Sequence, residues 1–332
     1  MNDVIQAQNL TKEFDGLVAV DHIDLSVKQG EVFGFLGPNG AGKTTTIRIL
    51  CTMLDPSSGW AKVCGYDVAR QRMQVRECIG IVFQESCIDK FLTGKENLNF
   101  HGQMYHMDKK TREERIEEVL SLLDLKGKEN MAINNLSGGM QRRFEVARGF
   151  MNHPRVLFLD EPTLGLDIQT RRSLWDYIQM LNSREGTTII LTTHYIEEAD
   201  YLCNRVAIMN HGKIMAMDEP NKLKEAVGVN LISLRIANGD DGIVDPLKGL
   251  SWVRKVEAHA GTVELDIDGG EERIPELIDF ADENGFAISS IDLRQPSLED
   301  AFLHYTGREI REEEGNLMEL WKGVMMRRRG RK

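Results

Sequence analysis

The hydrophobic pattern changes period several times along the chain. Strand candidates recur at Glu31–Leu36, Ile79–Phe83, Val156–Asp160, Thr187–Thr193 and Val206–Met209, several of them short, unbroken apolar runs. Runs of this length without polar alternation, such as Val156-Leu157-Phe158-Leu159, predict strands buried on both faces of a parallel sheet. Helix-like stretches fill the intervals, so a doubly wound α/β domain is expected. Two earlier segments, Val4–Leu10 and Asp21–Val27, predict strands of an antiparallel edge sheet. Residues 95–150 read as mostly helical, an insertion between two sheet strands. Within it the charged segment Thr111–Leu123 carries Ile116, Val119, Leu120 and Leu123 on one apolar stripe.

The pattern shifts near Pro220. Beyond it come short strands (Leu231–Ile236, Val253–Ala258, Thr262–Ile267, Ala287–Leu293) and two helices (Ile274–Asn284, Leu298–Tyr305). They predict a small C-terminal α+β domain over 228–308, with a ferredoxin-like arrangement. In its last helix Ser297 is the expected cap, Leu298, Phe302 and Leu303 the packing residues and Gly307 the stop. Residues 309–332 form a tail, acidic at Arg311–Glu314 and basic at Arg327–Lys332. Leu317, Trp321, Val324 and Met325 could form one apolar stripe lying on an anionic membrane surface or a partner; a solvated tail is the other reading.

Composition narrows the function classes. A net charge of −11 gives no general attraction to nucleic acid, so no nucleic-acid partner is expected. The five cysteines make no C-x-x-C pair and point to neither a zinc site nor a disulfide framework. No signal segment opens the chain, and no apolar run approaches the roughly 20 residues that span a bilayer. A membrane role would therefore come through a partner or a surface contact.

Three segments carry chemistry. Gly37-Pro38-Asn39-Gly40-Ala41-Gly42-Lys43-Thr44 fits G-x-x-x-x-G-K-S/T between a predicted strand and a predicted helix. Such glycines let backbone N–H groups surround phosphate oxygens, aided by the positive end of the helix. Lys43 is expected to reach the β- and γ-phosphates and Thr44 to place its hydroxyl on Mg2+; Thr45 follows in the same turn. Asp160, at the end of the run Val156–Asp160, is expected where α/β sheets bind ligands, to hold magnesium through water, with Glu161 as general base on the attacking water. Leu136-Ser137-Gly138-Gly139-Met140-Gln141 predicts a helix capped by Ser137, with two glycines that leave its first N–H groups open to an anion. A plain capped helix is the alternative.

These pieces, in this order, resemble the nucleotide-binding subunits of ABC transporters over roughly residues 1–222. The resemblance implies an α/β fold of the ABC-type P-loop NTPase: a mostly parallel sheet, an antiparallel edge sheet and a helical subdomain near 95–150. It also implies roles that the pattern alone does not show. Phe14 would stack on adenine, though a core or edge-strand Phe is the alternative. Gln84 matches the Q-loop glutamine that touches magnesium and the attacking water, where a permease's coupling helix would press. Asp167 closes the D-loop match at Leu164–Asp167. His194 matches the switch histidine that contacts the γ-phosphate. His101, His106 and His153 match no motif and are expected at the surface.

The same resemblance implies an ATPase working with ATP and Mg2+, in a homodimer or paired ABC ATPase with head-to-tail sites. Ser137, Gly138, Gly139 and Gln141 of one subunit would cover ATP bound by the other. The partner would be a separate transmembrane permease, and the location peripheral, on the cytoplasmic face of the membrane. The segment Pro296–Gly307 looks like the closing segment of daunorubicin-resistance-type exporter ATPases, which points to export of a drug-like or lipid-like substrate. The alternative is an ABC-type ATPase acting on nucleic acid or the ribosome.

Overall fold

A computed structural model describes residues 3–227, 230–236, 241–259, 262–267, 270–294 and 296–307. The tail expectations at Leu317, Trp321, Val324, Met325 and the basic run lie outside the described residues. The chain divides into two compact units, one through Pro220 and one from Asn221 to Gly307.

In chain order the first unit runs β1 (Asp3–Phe14), β2 (Leu17–Lys28), β3 (Val32–Leu36), α1 (Lys43–Leu50), β4 (Ser58–Val63), β5 (Tyr66–Asp67), α2 (Arg72–Cys78), β6 (Ile79–Val82), α3 (Gly94–Met104), α4 (Lys109–Leu122), α5 (Gly138–Gly149), β7 (Val156–Asp160), α6 (Ile168–Glu185), β8 (Thr188–Thr193), α7 (Ile196–Leu202), β9 (Arg205–Asn210) and β10 (Lys213–Asp218). Its main sheet has the order β10-β9-β3-β8-β7-β6. Five of these strands are parallel, and β10 pairs antiparallel with β9 at the edge. Every residue of β3, β7 and β8 is buried, as strands covered on both faces require. A second, antiparallel sheet runs β2-β1-β4-β5. The apolar positions of β1 and β2 alternate toward a core shared with α1 and the faces of β3 and β7.

Strands β4, β5 and β10 escape the sequence pattern. Ser58, Gly59 and Lys62 give β4 no apolar period; pairing to β1 makes it a strand. For β10 the His211-Gly212 turn was the missing cue, since both residues have positive φ, as a tight hairpin turn demands.

The segment from α3 to α5 is helical as expected. Thr93 and Glu96 form a reciprocal cap at α3, and Asp108 caps α4. Ile116, Val119, Leu120 and Leu123 are buried together. Arg115 joins them at 1% exposure, donating to Phe150 O at 2.8 Å and lying 4.7 Å from the Phe150 ring centre.

His101 departs from the surface expectation, whereas His106 and His153 are exposed. It is half-buried on α3 with its ring 5.0 Å from Tyr105. Burial, and then the Arg148 charge, depress its pKa from 6.5 to about 4. Between those values the unfolded chain binds a proton that the folded chain refuses, so stability is full above about 6.5 and is lost as pH falls toward 4. His101→Gln should flatten the fall in Tm across this window; an unchanged slope would assign the acid sensitivity to other groups.

After α8 (Pro220–Ala226) the second unit runs β11 (Asn230–Ile236), α9 (Val244–Lys248), β12 (Val253–His259), β13 (Thr262–Ile267), α10 (Ile274–Glu283), β14 (Ile288–Arg294) and α11 (Leu298–Thr306). Its antiparallel sheet has the order β12-β13-β11-β14, the βαββαβ pattern of ferredoxin-like folds. Ile232, Leu234, Val263, Leu265, Leu277 and Ala281 share its core. Two helices were expected over 228–308, yet α9 also forms; Pro246 inside it reads as a breaker but sits within the first turn, where no helical N–H is needed. Ser297 caps α11 and Gly307 ends it in the left-handed conformation. Leu298 and Phe302 are buried, but Leu303 is 42% exposed and Ala301 takes the third inward position. Positions i, i+3 and i+4 share a helix face; i+5 does not.

Candidate functional site

Strands β3, β7 and β8 run in register, so Leu36 pairs with Thr193 and Asp160 with Thr192. The loops leaving their C-terminal ends therefore share one edge, where open α/β sheets bind ligands.

The loop Gly37–Gly42 leaves β3 at this edge. Gly37 N–H donates to Thr193 O at 3.3 Å, and Ala41 N–H donates to Pro38 O at 3.2 Å. Asn39 and Gly40 form the exposed tip. Gly42 precedes α1 with φ +100°, and a Cβ there would stand 2.4 Å from Ala19 O. Only glycine meets both demands. The first turn of α1 then presents Lys43, Thr44 and Thr45, whose amides have no preceding helical carbonyl to reach.

Lys43 is 4% exposed; its Nζ donates to Gly37 O at 2.6 Å and Pro38 O at 3.0 Å and lies 3.5 Å from Glu161 Oε1. Thr44 Oγ1 donates to Asp160 Oδ1 at 2.9 Å, and Thr192 Oγ1 donates to the same oxygen at 2.6 Å. Burial and then the Asp160 charge push the nearby Cys51 thiol well above its usual range. Glu161 Oε2 meets His194 Nδ1 at 2.6 Å. That contact engages Nδ1 and leaves Nε2 outside it. Glu161 has a φ of +49°, uncommon for a residue with a side chain. Its N–H donates to Thr192 Oγ1 at 3.0 Å and Thr192 O at 3.2 Å, which holds that conformation in place.

One cluster thus contains an ammonium, two carboxylates, an imidazole and two hydroxyls. The hydroxyl and carboxylate oxygens of Thr44 and Asp160 are hard donors of the kind magnesium prefers. The ammonium beside a helix start suits a polyphosphate.

Other expected residues lie outside this cluster of contacts. Phe14 ends β1, 40% exposed, with Lys12 Nζ 4.9 Å from its ring centre. Gln84 is exposed in the loop after β6, which ends at Val82 rather than Phe83. Ser137 Oγ caps α5 by accepting from Met140 N–H at 3.3 Å, and Gly138 is exposed beside it. A Cβ on Gly139 would meet Thr170 Cγ2 at 2.2 Å, so only glycine lets α5 approach α6 this closely. A recess of about 200 Å3 there is lined by Ser137, Gly139, Arg143, Thr170 and Tyr177. The Gln141 amide donates to Leu136 O at 2.9 Å. Asp167 caps α6, and hydrogen bonds from the Thr170 hydroxyl and then the Thr170 amide lower its pKa.

Three residues of this region escaped the sequence reading. Thr192 looks like any strand threonine, yet its hydroxyl and carbonyl orient Asp160 and Glu161. Glu198 looks like a solvated helix charge. It is fully buried on α7, accepts from Thr163 Oγ1 at 2.8 Å and Trp175 Nε1 at 2.9 Å, and burial raises its pKa. Arg142 reads as one of a basic pair; it is buried among the carbonyls of the strand ends. No local signal marks any of the three.

Residues 20–164 match the family model described as ABC transporter, and residues 219–306 match that of the ATP-binding protein DrrA1-3-like, C-terminal domain. The chain is 38% identical to the daunorubicin resistance ATP-binding protein DrrA2 of Streptomyces coeruleorubidus, over 93% of this chain and 97% of that one. It is 35% identical to the Nod factor export ATP-binding protein I of Cupriavidus metallidurans, over 94% and 100%. Among solved structures it resembles a dimeric ATP-binding cassette in a post-hydrolysis state bound to ADP and Pi, with a TM-score of 0.59, 27% identity and coverage of 65% of this chain and 98% of that one.

Proposed function

The chain belongs to the ATP-binding subunits of ABC transporters, with a C-terminal domain of the DrrA type, and from that membership we propose that it hydrolyses ATP at the strand-end cluster to power export through a separate transmembrane permease. The observation that carries the reading is the meeting of Lys43, Thr44, Asp160, Glu161 and His194 at one sheet edge. The relatives named for daunorubicin resistance and Nod factor export support the outward direction and a drug-like or lipid-like substrate.

Within that reading, Gly37 to Thr45 wrap the phosphates, and Lys43 neutralises the β- and γ-oxygens. Phe14 stacks on adenine. Thr44 and Asp160, with Gln84, would hold Mg2+, which would supply neutralisation of the triphosphate charge. Glu161 accepts a proton from water as the water oxygen bonds to the γ-phosphorus. The bond from that phosphorus to the β–γ bridging oxygen breaks, and its electron pair stays with ADP. His194, held through Nδ1 by Glu161, contacts the γ-phosphate through its other ring nitrogen. Chelating divalent metal should abolish turnover, and adding Mg2+ back should restore it.

The partner arrangement belongs to the same proposal. Two copies, or this chain and a paired ATPase, meet head to tail, with Ser137, Gly138, Gly139, Gln141 and Asp167 of one subunit closing over ATP in the other. The permease docks at the loop of Gln84. That loop runs into the 86% exposed Phe91 and then α3, where Phe100 and Met104 stand out one turn apart. Residues 1–222 form the ATPase domain, and residues 228–308 an assembly or regulatory module. Among the described residues no helix is long and apolar enough to cross a membrane, which suits a subunit held peripherally at the cytoplasmic face.

Detergent extraction and affinity purification of the tagged chain should recover a polytopic membrane protein, together with Mg2+-dependent ATP turnover. Stable recovery only with ribosomes or nucleic acid would replace export by the non-transport alternative.

A further inference from the structure

Arg142 lies in the second turn of α5, the helix whose first turn carries Gly138 and Gly139, yet its side chain leaves that helix for the strand ends. It is buried at 9% exposure. Its Nε–H donates to Pro162 O at 2.7 Å. One Nη donates to Phe83 O at 2.7 Å and to the Glu145 carboxylate at 2.5 Å. The other donates to Asp160 O at 3.2 Å and Glu161 O at 3.1 Å. A guanidinium has five N–H donors, and all five are used here.

The four carbonyls belong to two segments remote in sequence. Asp160, Glu161 and Pro162 carry the metal-side carboxylate and the general base, and Phe83 immediately precedes Gln84. Glu145, one turn further along α5 and equally buried, balances the charge and aims the fork. Glu161 is the residue at φ +49°, a conformation that persists only when its surroundings over-determine it. Thr192 holds its N–H side and Arg142 its carbonyl side.

We propose that Arg142 is a positioning residue for hydrolysis: through its planar fork, α5 sets the backbone of Glu161 and the start of the Gln84 loop at once. Movement of the Ser137–Gly139 turn then reaches the general base through a buried strut. The inference rests on the reading of Glu161 as general base. Lysine keeps the charge but lacks the fork, so it cannot hold two strand ends together.

The test measures kcat, ATP affinity and Tm for Arg142→Lys, Arg142→Ala and Glu161→Gln beside the parent chain. Arg142→Lys should lower kcat by about 10²-fold, the loss expected when a reacting group is displaced by about 1 Å, while ATP affinity stays unchanged. Millimolar guanidinium should restore part of the turnover of Arg142→Ala and none of Glu161→Gln. Where Arg142→Ala does not fold, the Lys variant decides alone. Parental kcat in Arg142→Lys overturns the inference, as does an equal loss of kcat and affinity that follows Tm. Parental turnover in Glu161→Gln instead overturns the reading beneath it; loss in Glu161→Gln with none in Arg142→Lys overturns the strut alone.

Discussion

Glu161→Gln should bind ATP at least as well as the parent chain and lose steady-state hydrolysis by about 10²–10⁴-fold, the span attributed to a positioned general base. The amide has the shape of the carboxylate but cannot take up the water proton. It also removes a negative charge from a site that receives triphosphate. Lys43 Nζ, 3.5 Å from Glu161 Oε1 and bonded to Gly37 O and Pro38 O, keeps its two carbonyl partners and loses only the competing carboxylate. Binding is read by isothermal titration and turnover by phosphate release. If two copies meet head to tail, this variant should also sediment as an ATP-dependent dimer. Unchanged phosphate release would remove Glu161 from the role of base and shift attention to His194, its 2.6 Å partner.

Gly42→Ala should be the most damaging single-methyl change in the phosphate loop. The residue sits at φ +100°, beyond the small left-handed basin open to other residues, and its new methyl would stand 2.4 Å from Ala19 O. Adopting such a sparsely populated conformation costs roughly 1–3 kcal/mol for an L-residue. Displacing packed backbone adds about 1–3 kcal/mol. Relaxation of either strain turns the start of α1, which directs Lys43 and Thr44. The expected result is a lower denaturant midpoint together with loss of the ATP-dependent rise in Tm. A variant with parental stability and parental ATP protection would show that the loop tolerates a side chain there.

The strands that build the site were legible because each signals itself. Val156–Asp160 is apolar on both faces, and no other local structure buries such a run so economically in length. The proposed phosphate loop carries its whole motif in consecutive residues, so Gly37 to Thr45 can be named as a candidate without tertiary information. The antiparallel partners β4 and β5 were not legible. Their strand character comes from pairing, β4 with β1 and β5 with β4, rather than from their own residues. Leu303 stands one position off the buried face of its helix, and α9, five residues long, is too short to show a helical period. His101 was read as exposed because nothing in its neighbours shows that α3 turns that side toward Tyr105 and Arg148.

Charged residues divide most sharply. Lys43, Asp160 and Glu161 declared themselves through contiguous motifs. Arg115, Arg142 and Glu198 look in sequence like ordinary solvated charges, and the structure buries all three. Beside the local carboxylates Glu118 and Glu145, the partners that bury them lie far along the chain: Phe150 for Arg115, Phe83 for Arg142, and Thr163 and Trp175 for Glu198.

By itself, then, the sequence determined the parallel-sheet core, the phosphate loop, the order of the motifs and a C-terminal α+β domain. These follow from short-range period and contiguous chemistry. Only the tertiary structure decided which strand ends stand side by side, that Thr192 braces both carboxylate residues, and that the fork of Arg142 joins two of those ends to α5. The reason is physical: a charge or hydroxyl has no local period, and its burial depends on carbonyls and carboxylates that the fold alone brings within 3 Å or so.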